Sequence, residues 1–474
     1  MTHLISHLQE VAPGALVEAM TDRIRTLRTR AGRTPADHSR PVTYRLTLAT
    51  ESMSPLTWLA GQSVGRRIYW GDRNGSWQMA GVGAAETITM HAPINVAPLF
   101  KRLDYVLSEA PEGLRYYGGM RFDYRARPSE SRSPWRCLPD CLFVLPRFEL
   151  LRYGEDALFS CNLLDTDLDD SRINRILADL NRLLFTVTDK VRLSGDVGNR
   201  VDSPDRYGWG TLLSSAHRHL QDGSIEKIVL ARESVMTTAK PVPAWSVLRD
   251  LHDKGDCYTF AFEFDPGTVF FGATPERLYS RKGVLIETEA QAGTRPRGST
   301  SAEDSRLAEE LMGSEKDRRE HQYVIQGISA AMDRAGISHR IAGDVTVRTT
   351  PQVQHLYARI MGRLAETDDG GVPCDATILS ALHPTPAVAG LPVNEAMDLI
   401  AELEPFDRGW YAGPVGWIAA DRSEFAVAIR SALARPGDIR LYAGAGIVDG
   451  SRSDDEWEEL ENKIAALIRP LIES

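Results

Sequence analysis

Two acidic pairs stand at a spacing that can do chemistry. In "SEKDRREHQYV", residues 314 to 324, Asp317 and Glu320 are three apart; in "SDDEWEELENKIAALI", near the C-terminus, so are Glu456 and Glu459, with Lys463 one turn beyond. Residues three or four apart on a helix share a face, so each pair would present two carboxylates side by side. The ordinary role of such a pair is a solvated face whose charges cancel locally, and Lys316, Arg318 and Arg319 are placed to cancel the first. Were the two faces turned toward one another, their carboxylates would repel unless a cation lay between them. Oxygen ligands that leave room for water and an anionic substrate suit Mg2+ better than zinc or calcium.

Other residues invite the same question. Lys227 opens "KIVLARESV"; a lysine at a strand end usually snorkels to water, but in a desolvated cleft its pKa would fall and it could accept a proton. Glu276 follows a proline in "GATPERL", where a turn carboxylate paired with Arg277 is the ordinary expectation. Arg430 closes the alternating run "EFAVAIR", and a charge among apolar neighbours needs an anionic partner or an exposed end. "AQAGTRPRG" (290 to 298) and "YAGAGIVDG" (442 to 450) are glycine-bearing turns whose bare N–H groups could approach an anion or could simply be tight turns. "LHPTPAVAGLP" (382 to 392) sets His383 in a rigid, proline-rich connection, where a histidine is more often a turn residue than a catalyst.

The elements that must position these residues are readable from periodicity. Strand-like runs at 42 to 50, 66 to 70, 140 to 151 and 157 to 164 are bounded by Gly, Pro and Asp turns. Residues 171 to 191 repeat apolar positions at helical spacing, and the polar stretch 193 to 208 reads as a linker or long surface loop. In the second half, strands at 227 to 237, 257 to 264 and 284 to 288 precede helices at 301 to 313 and 315 to 335; more strands and a last helix, about 454 to 470, close the chain. Strands follow strands more often than crossover helices do, which predicts an α+β rather than a doubly wound fold.

Bulk composition narrows the partners. The chain has 474 residues, with 55 Lys plus Arg against 65 Asp plus Glu, for a formal charge of -10. It carries no basic stripe interleaved with aromatics, so nucleic acid is not expected as a partner. The basic stretch 23 to 33 reads as the solvated side of a helix with Leu16, Met20, Ile24 and Leu27 on its other face. Five scattered cysteines make no disulfide framework, and Cys137 with Cys141 lacks the further ligands a zinc site needs. No run of about 18 apolar residues and no basic start with an apolar core is present, so no membrane span is expected and the cytoplasm is the expected location.

In order, "KIVLAR", "GATPERL", "AGTRPRG", "SEKDRREHQ", "VQHLY", "LHPTPAVAGLP", "DRGWYAGPVGW", "FAVAIRSAL", "YAGAGIV" and "EWEELENK" resemble the signature of the chorismate-utilising enzymes, most closely the isochorismate synthases. "GGMRFDY" at 118 to 124 resembles a segment the family has in its N-terminal half. The resemblance implies one large α+β domain, like anthranilate synthase component I, with antiparallel sheets and helices around a central cleft. Residues 1–205 would form an N-terminal portion of the same body and 206–474 the chorismate-binding catalytic portion.

By motif position, the resemblance assigns Lys227 as general base and Glu276 as general acid. Glu320 and Glu459 would hold Mg2+, supported by Asp317 and Glu456. Tyr411 and Arg430, with the backbone around Gly444 and Gly446, would clamp the enolpyruvyl carboxylate; Gly293, Thr294 and Lys463 would meet the ring carboxylate or its metal, and His383 would line the ring side. The implied reaction is the isomerisation of chorismate to isochorismate, the start of menaquinone, catecholate siderophore and salicylate-derived products. The alternatives are a salicylate synthase, which also eliminates pyruvate, an ammonia-using relative with a glutaminase partner, and a protein that binds chorismate without turnover. The family favours a monomer over a dimer. Two departures bear on the product: Gln291 where relatives often have an apolar residue, and Ala389 where many have a second glycine.

Overall fold

Long alternating segments pair into one hydrogen-bonded ladder that branches. The computed structural model describes residues 10–31, 42–125, 133–185, 197–350, 353–365 and 375–472. One arm runs outward from strand Cys141–Tyr153 through Trp77–Met90, Arg67–Gly71, Tyr258–Asp265, Thr268–Thr274, Ser431–Arg435 and Asp438–Ile447 to Lys227–Thr238. The other leaves the same strand through Tyr116–Met120, Pro414–Ile418, Arg422–Val427, Arg277–Lys282 and Leu285–Pro296 to Val353–Arg363. Among the described residues only the short pairing of Glu10–Val11 with Ala49–Thr50 is parallel. The expected α+β class with antiparallel sheets is what forms. Ladders also cross position 205, since Arg67–Gly71 pairs with Tyr258–Asp265 and Tyr116–Met120 with Pro414–Ile418.

Two helices bring acids to the sheets. Ser314 caps helix Glu315–Arg334, its hydroxyl accepting from the Asp317 N–H at 3.3 Å, and Val324, Ile325, Ile328 and Met332 form its buried stripe. His321 on the same helix contacts the Ala290 carbonyl at 3.0 Å, which ties the helix to strand Leu285–Pro296. The last helix, Ser453–Ile472, buries Leu460, Ile464 and Leu467. Each contributes on the order of 1.5–3 kcal/mol by leaving water, and together they set which way Glu456, Glu459 and Lys463 point.

Three expectations change. Within 193 to 208, strand Val197–Ser203 pairs with Lys227–Thr238 and helix Arg206–Gln221 begins, so the described part is neither linker nor loop; 193 to 196 lie outside the described residues. Backbone pairing there overrides the turn-forming composition of Gly198, Asn199 and Asp202. The helix expected at 171 to 191 spans Asp170–Asn181, and 186 to 191 lie outside the described residues. Strand Trp77–Met90 appears where no strand was expected, because "MAGVGAAE" hides its alternation. No helix among the described residues is long and apolar enough to cross a membrane.

Candidate active site

Both arms end at one cleft. Its wall includes Lys227, Glu276, Gly293, Thr294, Asp317, Glu320, Tyr411, Arg430, Gly444, Gly446, Glu456, Glu459 and Lys463. These residues come from segments up to 236 positions apart in the chain, so the site exists only in the assembled fold. Of the residues expected in the site, only His383 is absent from this wall.

Lys227 begins strand Lys227–Thr238, pairs with Leu391, and is fully buried. Its Nζ lies 3.0 Å from Glu320 Oε1 as an ion contact without hydrogen-bond alignment. Gly446 makes that approach possible, because a Cβ there would overlap the Glu320 carboxylate and stand 3.2 Å from Lys227 Cε. Glu276 occupies the turn between strands Thr268–Thr274 and Arg277–Lys282 and is 7 % exposed. Burial, reinforced by the charge of Glu289, pushes its pKa up to about 7 against the opposing pull of Lys227, Lys463 and Arg430. A carboxyl group in this state still carries its proton near neutrality and can donate it.

The four helix acids do face the cleft, each holding a cation of the chain itself. Asp317 pairs with Arg295 at 2.8 Å, Glu456 with Lys316 at 2.8 Å and Glu459 with Lys463 at 2.6 Å. Burial and the neighbouring Glu459 raise the pKa of Glu456. Burial also pushes Glu459 up, but Lys463, Lys316 and Lys227 together hold it below the ordinary value. Among the described residues no three His, Cys, Asp or Glu side chains converge tightly enough to cage a metal. The donor set still fits a hard divalent cation, which commonly takes one or two protein carboxylates and fills its shell with water and substrate oxygens.

Arg430 sits at the junction of strands Arg422–Val427 and Ser431–Arg435 with φ +48, a left-handed conformation that a non-glycine residue rarely adopts. Its Nη2 meets His355 Nε2 at 3.2 Å. The other ring nitrogen of His355 lies 3.1 Å from the Gly293 carbonyl and 3.2 Å from the Thr294 hydroxyl. Burial, then the charge of Arg430, pushes the pKa of His355 down to about 3, so the ring is neutral. With Nδ1–H donated to Gly293, Nε2 is left as the acceptor that aims the guanidinium. Gly293 itself has φ +70, and a Cβ there would come within 3.0 Å of Asp317. Across the cleft, Lys463 donates to the Gly444 carbonyl at 2.9 Å, and Tyr411 stacks on Tyr442 with centroids 5.3 Å apart.

His355 was not singled out from the sequence, although it lies inside the "VQHLY" block; a histidine in an otherwise apolar strand was the available signal. His383 is corrected. It lies in a separate depression with Phe122, Tyr124 and Arg334, its Nε2 2.9 Å from the Phe122 carbonyl, because the proline-rich turn points it away from the cleft. The same turn lends Ala387 and Val388 to the cleft, while Ala389, one of the two departures, is fully buried behind them and accepts from the Val229 N–H at 2.8 Å. Gln291 does line the cleft.

Known proteins resemble the chain over most of its length. The chain is 33% identical over 423 residues to the isochorismate synthase MenF of Escherichia coli (strain K12), an alignment covering 88% of this chain and 90% of that one. It is 35% identical over 367 residues to the salicylate biosynthesis isochorismate synthase of Pseudomonas aeruginosa, covering 76% and 74%. The solved structure of the menaquinone-specific isochorismate synthase MenF from Escherichia coli superposes with a TM-score of 0.81 at 30% identity, over 96% of this chain and 99% of that one. The family model for chorismate binding enzymes matches residues 28–472, and the chain belongs to that family.

Proposed function

We propose that this chain is a Mg2+-dependent isochorismate synthase, with Lys227 as general base and Glu276 as general acid. The observation that carries the reading is the pairing of a buried amine and a buried, proton-retaining carboxyl group in one cleft that also holds Arg430. Lys227 takes a proton from water as the oxygen bonds to the ring carbon beside the one bearing the carboxylate. Both ring double bonds shift by one position, the hydroxyl opposite the carboxylate-bearing carbon leaves, and Glu276 gives it a proton so that it departs as water. One water enters and one leaves, so the change is an isomerisation.

Chorismate is a dianion and the protein is net acidic, so fixed positive charge must offset repulsion. Arg430, aimed by His355, and Tyr411 hold the enolpyruvyl carboxylate against the backbone at Gly444 and Gly446. Gly293, Thr294 and Lys463 meet the ring carboxylate or its counter-ion. Glu320 and Glu459, supported by Asp317 and Glu456, would hold Mg2+, which when bound screens and orients the ring carboxylate. Incubation of the protein with chorismate and Mg2+, with products resolved by chromatography, tests the reading. Isochorismate as the sole product is expected; salicylate and pyruvate without an added lyase would overturn it.

A further inference from the structure

Behind the proposed acid lies a buried charge that the reaction as written does not use. Glu289 is 3 % exposed and takes both nitrogens of the Arg73 fork, at 2.7 and 3.0 Å. Its Oε1 also accepts the backbone N–H of Arg277, the residue after Glu276, at 2.8 Å. The amide of Gln291 donates to the same oxygen at 2.7 Å and to the carbonyl of Pro275, the residue before Glu276, at 3.4 Å. Glu289 and Gln291 stand two apart on strand Leu285–Pro296, hence on one face, with Gln291 in the cleft wall and Glu289 behind it.

We propose that Glu289 and Gln291 are positioning residues for Glu276, gripping the turn on either side of it and keeping a fixed negative charge at its back. The inference rests on the reading of Glu276 as the acid. Arg73 pairs with Glu289 at 2.7 Å and Arg348 approaches it at 3.7 Å, while Arg277 is held by Glu287 and Glu424. Around Glu276 the opposing charges are Lys227 from its strand, Lys463 from the last helix and Arg430 from the strand junction; Tyr411 and the neutral His355 complete the wall. Only Glu289 among them favours the protonated carboxyl group, and it is the strongest influence after burial itself. The two residues therefore have separable effects, Glu289 on the proton and Gln291 on the aim.

The test is the pH profile of kcat and KM for chorismate conversion in Glu289→Gln and Gln291→Leu. Glu289→Gln keeps an oxygen for the Arg277 N–H but removes the charge, so the alkaline limb moves down by about one pH unit. Gln291→Leu keeps the charge and every ion pair but loses the tether, so kcat falls roughly tenfold with KM and the alkaline limb unchanged. A Glu289→Gln profile lowered without displacement, or a Gln291→Leu enzyme with wild-type kcat, overturns the proposal. Should Glu289→Gln fail to fold, Gln291→Leu decides alone. Glu276→Gln run alongside separates the two levels: an active Glu276→Gln enzyme removes the acid assignment itself, whereas an inactive one beside unaltered positioning variants removes only this inference.

Discussion

Lys227 Nζ lies 3.0 Å from a carboxylate oxygen of Glu320, which joins the proposed base to a proposed metal ligand. Glu320 is 14 % exposed at its side chain and Lys227 not at all, so the pair sits at the floor of the cleft with the acid facing the opening. Lys227→Ala is therefore expected to lower kcat by about 10²–10⁴-fold, the usual worth of a general base. Chorismate binding, assigned in the proposal to Arg430 and the glycine turns, should stay within about threefold of wild type. Calorimetric binding beside steady-state rates checks this, and near-normal turnover would remove Lys227 from the role.

The helix acids make a second prediction. Each is already neutralised by a lysine or arginine, so a divalent ion must compete with cations that are part of the chain. Glu320→Gln and Glu459→Gln are each expected to raise the Mg2+ concentration for half-maximal activity by about tenfold or more, through loss of a charged oxygen ligand. Asp317→Asn, whose carboxylate is held by Arg295, should have a smaller effect. An unchanged metal titration in both glutamate variants would contradict the ligand assignment.

Glu276 carries a stability consequence whose sign is opposite to that of a salt-bridged acid. Its folded pKa of about 7 lies above the ordinary glutamate value of 4.5, so between those values the folded state binds the extra proton. Stability therefore falls as pH rises through that window and levels off above it. Glu276→Gln, which cannot ionise, should match wild type near pH 4 and exceed it at pH 8 by roughly 3 kcal/mol at most. Denaturant unfolding at the two pH values measures the difference. The same variant should be inactive, a gain in stability bought with loss of the proton donor.

Much of this site was legible before folding because its chemistry is written in residue types that packing does not ask for. Two acid pairs at helical spacing, a lysine at a strand end and an arginine among valines and isoleucines all reached the cleft. What failed were directions rather than identities. His383 is rigidly held, as expected, but a turn's side-chain heading depends on the partner it meets, here the Phe122 carbonyl. His355 escaped notice because one histidine in a strand acquires meaning only when Arg430 arrives from 75 residues away. In the fold, strand Trp77–Met90 was hidden by small residues that carry little face preference, and Val197–Ser203 by turn-forming residues that its partner strand overrides.

Gly446→Ala probes the floor of the cleft with one methyl group. The added Cβ would overlap Glu320 Oε1, the far end of a flexible side chain, and stand 3.2 Å from Lys227 Cε. The strand Asp438–Ile447 keeps its ladder to Lys227–Thr238, since backbone pairing does not depend on the missing side chain. Glu320 can swing aside at little cost to folding, so stability should change by less than about 1 kcal/mol. The ion contact with Lys227 and the proposed metal ligand would both be displaced, however, and a misplacement of about 1 Å can cost on the order of 10²-fold in rate. The expected result is a folded protein with an unfolding midpoint near wild type, a kcat reduced by at least about tenfold and a weakened response to Mg2+. Full activity in Gly446→Ala would mean that Glu320 and Lys227 need not stand together for turnover.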